Sequence, residues 1–160
     1  MYAFLRSYFV IAVTILMISC ASTQTQTVDG DIASGEAGSY KFDAWRLNSS
    51  AEFESINVLL RQVDQHIEMD ANNAATDKLE RILRIKPQYA PAWSRLSWLS
   101  LQTGAAKRSV QMAKRSNSLA YSDPELQLLN WQFIRDASKL LNDEVGYNRA
   151  SQKIDSLKAF

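Results

Sequence analysis

One recurrence constrains this chain more than any other feature: sliding the sequence against itself by 33 residues lays Pro91 over Pro124, Leu96 over Leu129 and Trp98 over Trp131. A repeat of that length holds two helices and a turn, and it folds by stacking, each unit covering the apolar face of the next. The local pattern agrees. Phe53, Ile56, Leu59, Leu60, Val63 and Ile67 follow the three-and-four rhythm of one helix face, with Ser50 placed as N-cap and Glu52 and Glu54 near the positive end of the dipole. A break over 69–73 precedes a second helix over 74–85, which presents Leu79, Ile82, Leu83 and Ile85 inward and is stopped by Pro87. Pro91 suits the first turn of a third helix carrying Trp93, Leu96, Leu99 and Leu101 and ending at Gly104. A fourth spans 105–119, Asp123-Pro124 opens a fifth with Leu126, Leu129, Phe133 and Ile134, and a last one carries Tyr147, Ala150, Ile154 and Leu157. No alternating run of strand length interrupts them, so the expected class is all-α.

These residues resemble the tetratricopeptide repeat (TPR). The second helix of a unit in that family reads Ala, an aromatic or Leu, a small residue, Leu and a closing Pro, and Ala75, Leu79, Ile82, Leu83, Ile85 and Pro87 stand at those places. The next unit supplies Trp93, Leu96, Ser97 at the small position and Gly104 at the turn, then Ser109, Ala113, Ser116 and Leu119, small where helices must approach. The match spans about 55–157 and departs from the family at Ser100, where Tyr is common, at Pro124, three residues late, and in the second helix of the third unit. The resemblance implies TPR-like helix-turn-helix repeats in a short right-handed solenoid, three units being about the minimum for a stable stack. An unrelated helical bundle with coincident prolines is the alternative. On the family's geometry the concave, protein-binding face carries Leu60, Arg61 and Asp64, then Ser94, Trp98 and Gln102, then Gln127, Trp131 and Arg135. Aromatic and Arg side chains suit binding hot spots. The plainer reading buries both tryptophans between helices.

The amino terminus is an address. Arg6, an apolar run over 8–18 and then Ser19-Cys20 make the parts of an export signal, too short to span a membrane comfortably. Met17-Ile18-Ser19-Cys20 resembles the lipobox of bacterial lipoproteins, which implies diacylation of Cys20 and cleavage before it. The organisation expected is a signal peptide over 1–19, a lipidated Cys20 and disordered linker over 20–50, and a helical domain over 51–160. With no Asp after Cys20, the resemblance implies the outer membrane; an uncleaved inner-membrane anchor borrowing residues 2–5 is the alternative. The Ser, Thr, Gln and Gly of 21–39 cannot bury enough surface to offset the entropy of ordering them. Tyr40, Phe42, Trp45 and Leu47 then fold back on the first helix or contact a partner.

Chemistry narrows the rest. Eighteen Lys and Arg against 17 Asp and Glu leave +1, which argues against nucleic acid. One Cys and one His exclude a Cys-based zinc site and weaken any triad; His66 beside Asp64 and Glu68 has neighbours that point away from it. No cofactor and no enzymatic activity are expected. Lys78, Arg81, Arg84 and Lys86 with Lys107, Arg108, Lys114 and Arg115 form a convex basic surface, serving solubility or touching anionic headgroups or acidic wall. The layout, a lipoprotein with a tether and a small TPR array, is similar to outer-membrane activators of bifunctional (class A) penicillin-binding proteins. It implies an adaptor for a periplasmic or envelope protein, the alternative being direct binding of peptidoglycan or peptide by the tryptophans.

Overall fold

The computed structural model describes residues 53–159. Ser50, Cys20, the expected signal peptide and the 20–50 tether lie outside them. Among the described residues six helices follow one another: α1 (Glu54–Glu68), α2 (Asn72–Ile85), α3 (Ala90–Gln102), α4 (Ala106–Leu119), α5 (Pro124–Leu140) and α6 (Glu144–Lys158). Among the described residues there is no strand. They pack as three antiparallel pairs, α1/α2, α3/α4 and α5/α6, with α3 against α2 and α4 against α5 joining one pair to the next. The protein is therefore all-α and TPR-like in architecture.

Four local expectations change. α1 begins at Glu54 with Phe53, which offers no capping side chain, at the N-cap position that Ser50 was expected to hold. α2 starts at Asn72, so the first break is shorter than 69–73. Ile85 is 50% exposed and belongs to the outer side of α2, because the buried stripe of that helix runs through Ala75, Leu79, Ile82 and Leu83 and has rotated away by its last residue. Tyr147, expected in the core, is likewise exposed, and α6 buries only Ala150 and Ile154. That polar-faced final helix closes the stack.

The turn inside each pair is built the same way. After α3, Gly104 adopts φ 73, its N–H donates to the Leu101 carbonyl (3.0 Å) and the Ala105 N–H to the Ser100 carbonyl (2.8 Å). This is a Schellman motif, which satisfies the last carbonyls of a helix through one left-handed residue. Asp70 and Asn142, both at φ 54, do the same after α1 and α5. α5 has 17 residues where α3 has 13, so its turn arrives one helical turn late. That extra turn shifts α6 out of the register of the earlier units, which is why the third unit fits the repeat pattern poorly. Asp123 and Asp143 cap α5 and α6, each accepting from the backbone N–H three residues on at 2.9 Å.

The core falls into two clusters. One joins α1, α2 and α3 through Ile56, Leu60, Val63, Leu79, Ile82, Leu96 and Leu99; the other joins α3 to α6 through Leu101, Leu126, Leu129, Phe133, Ile134 and Ala150. α3 contributes to both. The inner face of α4 is all small, Ala106, Ser109, Ala113 and Ser116, which lets its neighbours come close. Ser97 on α3 donates to the Ser109 carbonyl (2.9 Å), and its hydroxyl lies 3.0 Å from that of Ser109. Ser116 donates to the Ala90 carbonyl (2.9 Å) and accepts from Asn130 of α5 (2.8 Å), binding three helices at one point.

Three substitutions test this account. Gly104→Ala should lower stability by about 1 kcal/mol, from backbone strain alone, since no atom lies within 4 Å of the added Cβ. Asp70→Gly should raise it by a similar amount, about 0.5–1 kcal/mol. Ala113→Leu should lower it by about 1–3 kcal/mol or more, through overpacking between α4 and its neighbours. Urea unfolding followed by circular dichroism measures all three; a neutral Ala113→Leu would contradict close approach at α4.

Candidate protein-binding face

The first helices of the three pairs, α1, α3 and α5, carry the expected binding residues. α3 packs directly on α5, and an ion pair joins α3 to α1: Arg95 Nη2 lies 3.0 Å from Asp64 Oδ1. Arg95 is 3% exposed and Asp64 29%. A guanidinium held out of water needs a carboxylate close by, so this pair fixes how the first repeat meets the second. Asp64, expected to face a partner, is committed to that internal bond.

The other expected residues divide by exposure. Ser94 is completely buried, and its hydroxyl finds no hydrogen-bond partner, so it offers nothing to a protein docking from outside. The physical reason is the position of α3, walled in by both core clusters; a face that would be open on an edge helix is closed on a central one. Arg61 is exposed and pairs at 3.1 Å with Glu54, itself exposed, an interaction that solvent screens. Gln102 is exposed at the end of α3. Gln127 is half-buried and donates to the Ala120 carbonyl at 2.7 Å, fastening α5 to the loop before it. Arg135 is half-buried beside Asp136, Nε to Oδ1 3.0 Å.

Trp98 and Trp131 are both half-buried. Trp98 packs at the seam of the two clusters and Trp131 against the second only. Neither enters the fully buried core, and both keep part of their surface in solvent. Trp93 meets a different demand, its indole N–H donating to the Pro87 carbonyl at 2.9 Å and so holding the loop between the first two pairs.

Sequence reasoning missed Arg95. The signal was partial: Arg95 is the one charged residue of α3, and a lone cation on an otherwise uncharged helix calls for an acid on a neighbour once packing takes it out of water. An open hollow of about 400 Å³ lies elsewhere, at the turn from α5 to α6, lined by Ser138, Lys139, Asn142, Asp143, Glu144 and Tyr147. None of the expected binding residues lines it. Among the described residues no group of three His, Cys, Asp or Glu side chains could hold a metal ion, and no helix is long and apolar enough to cross a membrane.

Paired helices and a recurring Schellman turn define a TPR-like helical-repeat protein. No protein-family profile matches the chain. A TPR repeat-containing protein of Rhizobium etli is 34% identical over 82 residues, 51% of this chain. The match covers only 38% of that protein's length. Among solved structures, the globular C-terminal domain of LpoP from P. aeruginosa superposes with a TM-score of 0.58 at 29% identity, over 64% of this chain and 94% of that domain.

The Arg95–Asp64 pair makes an ordered prediction. Asp64→Ala strands a buried cation and should destabilise by about 3 kcal/mol, whereas Arg95→Met leaves a carboxylate that water still reaches and should cost about 1 kcal/mol or less. Denaturant titration of the two variants decides; the reverse order would mean that the pair does not set the junction.

Proposed function

We propose that the protein is a lipid-anchored periplasmic adaptor whose first-helix face binds another envelope protein, and that the partner is a class A penicillin-binding protein that it activates. The observation that carries this reading is that Trp98 and Trp131, on two successive first helices, each keep part of their surface in solvent, while Arg61 and Gln102 on α1 and α3 are exposed. Large aromatic surface, already ordered by packing on one side, binds a partner at small entropic cost. Two further points support it: the lipobox-like Met17-Ile18-Ser19-Cys20 ahead of a polar stretch, and the likeness of the folded body to the LpoP domain. The outer-membrane address and the acylation of Cys20 are part of the same proposal. The adaptor role needs no nucleophile.

Photo-crosslinkers placed at Arg61, Gln102 and Arg135 in living cells should trap one dominant protein, and a penicillin-binding protein should be recovered in it. Trp131→Ala should weaken that complex by about 2 kcal/mol, roughly thirtyfold, while the melting curve stays cooperative. A diffuse crosslinking background from all three positions sinks the adaptor. Sedimentation of the protein with purified sacculi, abolished by Trp98→Ala and Trp131→Ala, would move the tryptophans to direct peptidoglycan binding instead.

A further inference from the structure

Charge is unevenly spread along this nearly neutral chain. Between 72 and 119, the stretch from α2 through α4, nine cations face two acids, Asp77 and Glu80, a net charge of +7. The flanking helices do not share this excess. α1 and its following turn carry Arg61 against Glu54, Asp64, Glu68 and Asp70, and from 120 to 159 five cations meet six acids. An excess of this size over three consecutive helices repels itself, and packing does not require it, since the inner faces of α2 and α4 are Ala, Ser, Leu and Ile.

The fold gathers most of that charge on the two second helices. Arg108 of α4 pairs with Glu80 of α2 at 3.0 Å, both about half exposed, so long side chains bridge the two helices at this point and one of the two local acids is used up. Around this contact Arg81 and Arg84 on α2, and Lys107, Lys114 and Arg115 on α4, all point into solvent. Three members of the sequence-predicted basic set drop out or change role: Lys78 is half-buried, Lys86 turns back over the Phe53 ring, 4.2 Å from its centroid, and Arg108 is paired. Arg95 is inside the protein. What is left is a strip of five exposed cations on α2 and α4, separate from the helices α1, α3 and α5 that carry the candidate partner face.

We infer that this strip docks the helical body on an anionic phospholipid surface, that of the membrane holding the chain's own anchor. The inference rests on the lipoprotein reading for one argument only. An acylated Cys20 would stand about 30 residues before the described body, a length of chain that can reach no further than ~100 Å, so the same membrane stays within reach. Electrostatic attraction is the second signal that commonly accompanies acyl anchoring, and it acts within a Debye length of the lipid surface. No apolar insertion is needed. With α2 and α4 on the lipid, α1, α3 and α5 are left available, so docking sets the height and orientation at which the body meets its partner.

The test uses the full-length acylated protein reconstituted into vesicles, either pure phosphatidylcholine or the same lipid with phosphatidylglycerol, probed with a membrane-impermeant amine reagent. In phosphatidylglycerol vesicles at low salt, Lys107 and Lys114 should react at least about fivefold more slowly than in neutral ones, with the difference lost at high salt. Lys153 and Lys158 on α6 serve as references and should react equally in both. Arg81→Gln, Arg84→Gln and Arg115→Gln together should bring Lys107 and Lys114 to within about twofold of their neutral-vesicle rates, each neutralised cation weakening attachment roughly fivefold. Equal reactivity in the two vesicle types overturns the inference, as does slowing of Lys153 and Lys158 to the same degree, or protection of Lys107 and Lys114 by sacculi and not by vesicles. Flotation with neutral vesicles reads the acyl anchor separately. Protein that floats only with anionic vesicles sinks the anchor while supporting the strip, and protein that floats with neither sinks both.

Discussion

Nearly everything in this fold depends on α3 being surrounded. Ala92, Leu96 and Leu99 belong to the cluster shared with α1 and α2, while Ala90 and Leu101 belong to the one shared with α4, α5 and α6. A helix buried on so many sides would ordinarily be apolar throughout, and this one is not. It tolerates Ser97 and Ser100 because each hydroxyl is spent on a carbonyl, and Arg95 because Asp64 reaches it from the preceding repeat. Small residues opposite it on α4 allow the approach that lets Ser97 reach Ser109. The stacking of units, the placement of the tryptophans and the loss of Ser94 from the surface all follow from that one crowded position.

The two tryptophans show how packing and recognition can share a side chain. Trp98 stands at the seam between clusters, so its ring is ordered by contacts on one side and still meets solvent on the other. Trp131 stands the same way over the second cluster. Rigid aromatic surface of this kind suits an interface, since little rotamer freedom remains to be lost on binding. The charge distribution makes a complementary division: exposed cations collect on α2 and α4, the second helices of the first two pairs, while Trp98 and Trp131 stand on first helices.

How far the candidate face could be read in advance varies residue by residue. Arg61 and Gln102 are exposed, because they lie on α1 at the edge of the stack and in the last turn of α3, where no neighbour closes over them. Ser94 and Asp64 were misjudged for a shared reason. Periodicity says which side of a helix a residue is on, but not how many other helices press on that side or which distant charge will come to rest there. Ile85 and Tyr147 failed in the same way, being apolar residues at the margin of a stripe. The longer α5 was hidden because the 33-residue offset, anchored on Pro91 and Pro124, matches helix starts and carries no information about helix ends.

Sequence alone determined the class of structure: the three-and-four apolar spacing, the prolines at helix starts and the small residues of α4 are local facts that admit little but paired helices. It also determined the turn chemistry at Gly104, since a left-handed residue there is a property of one backbone position. Tertiary structure alone decided which of the first-helix residues remain accessible, that Arg95 and Asp64 join two repeats, and that Glu80 and Arg108 bring α2 and α4 together beneath a band of positive charge. The physical reason is range. Helix formation and capping are settled within a few residues, whereas burial and ion pairing depend on groups 30 residues or so apart in the chain, and only packing brings them into contact.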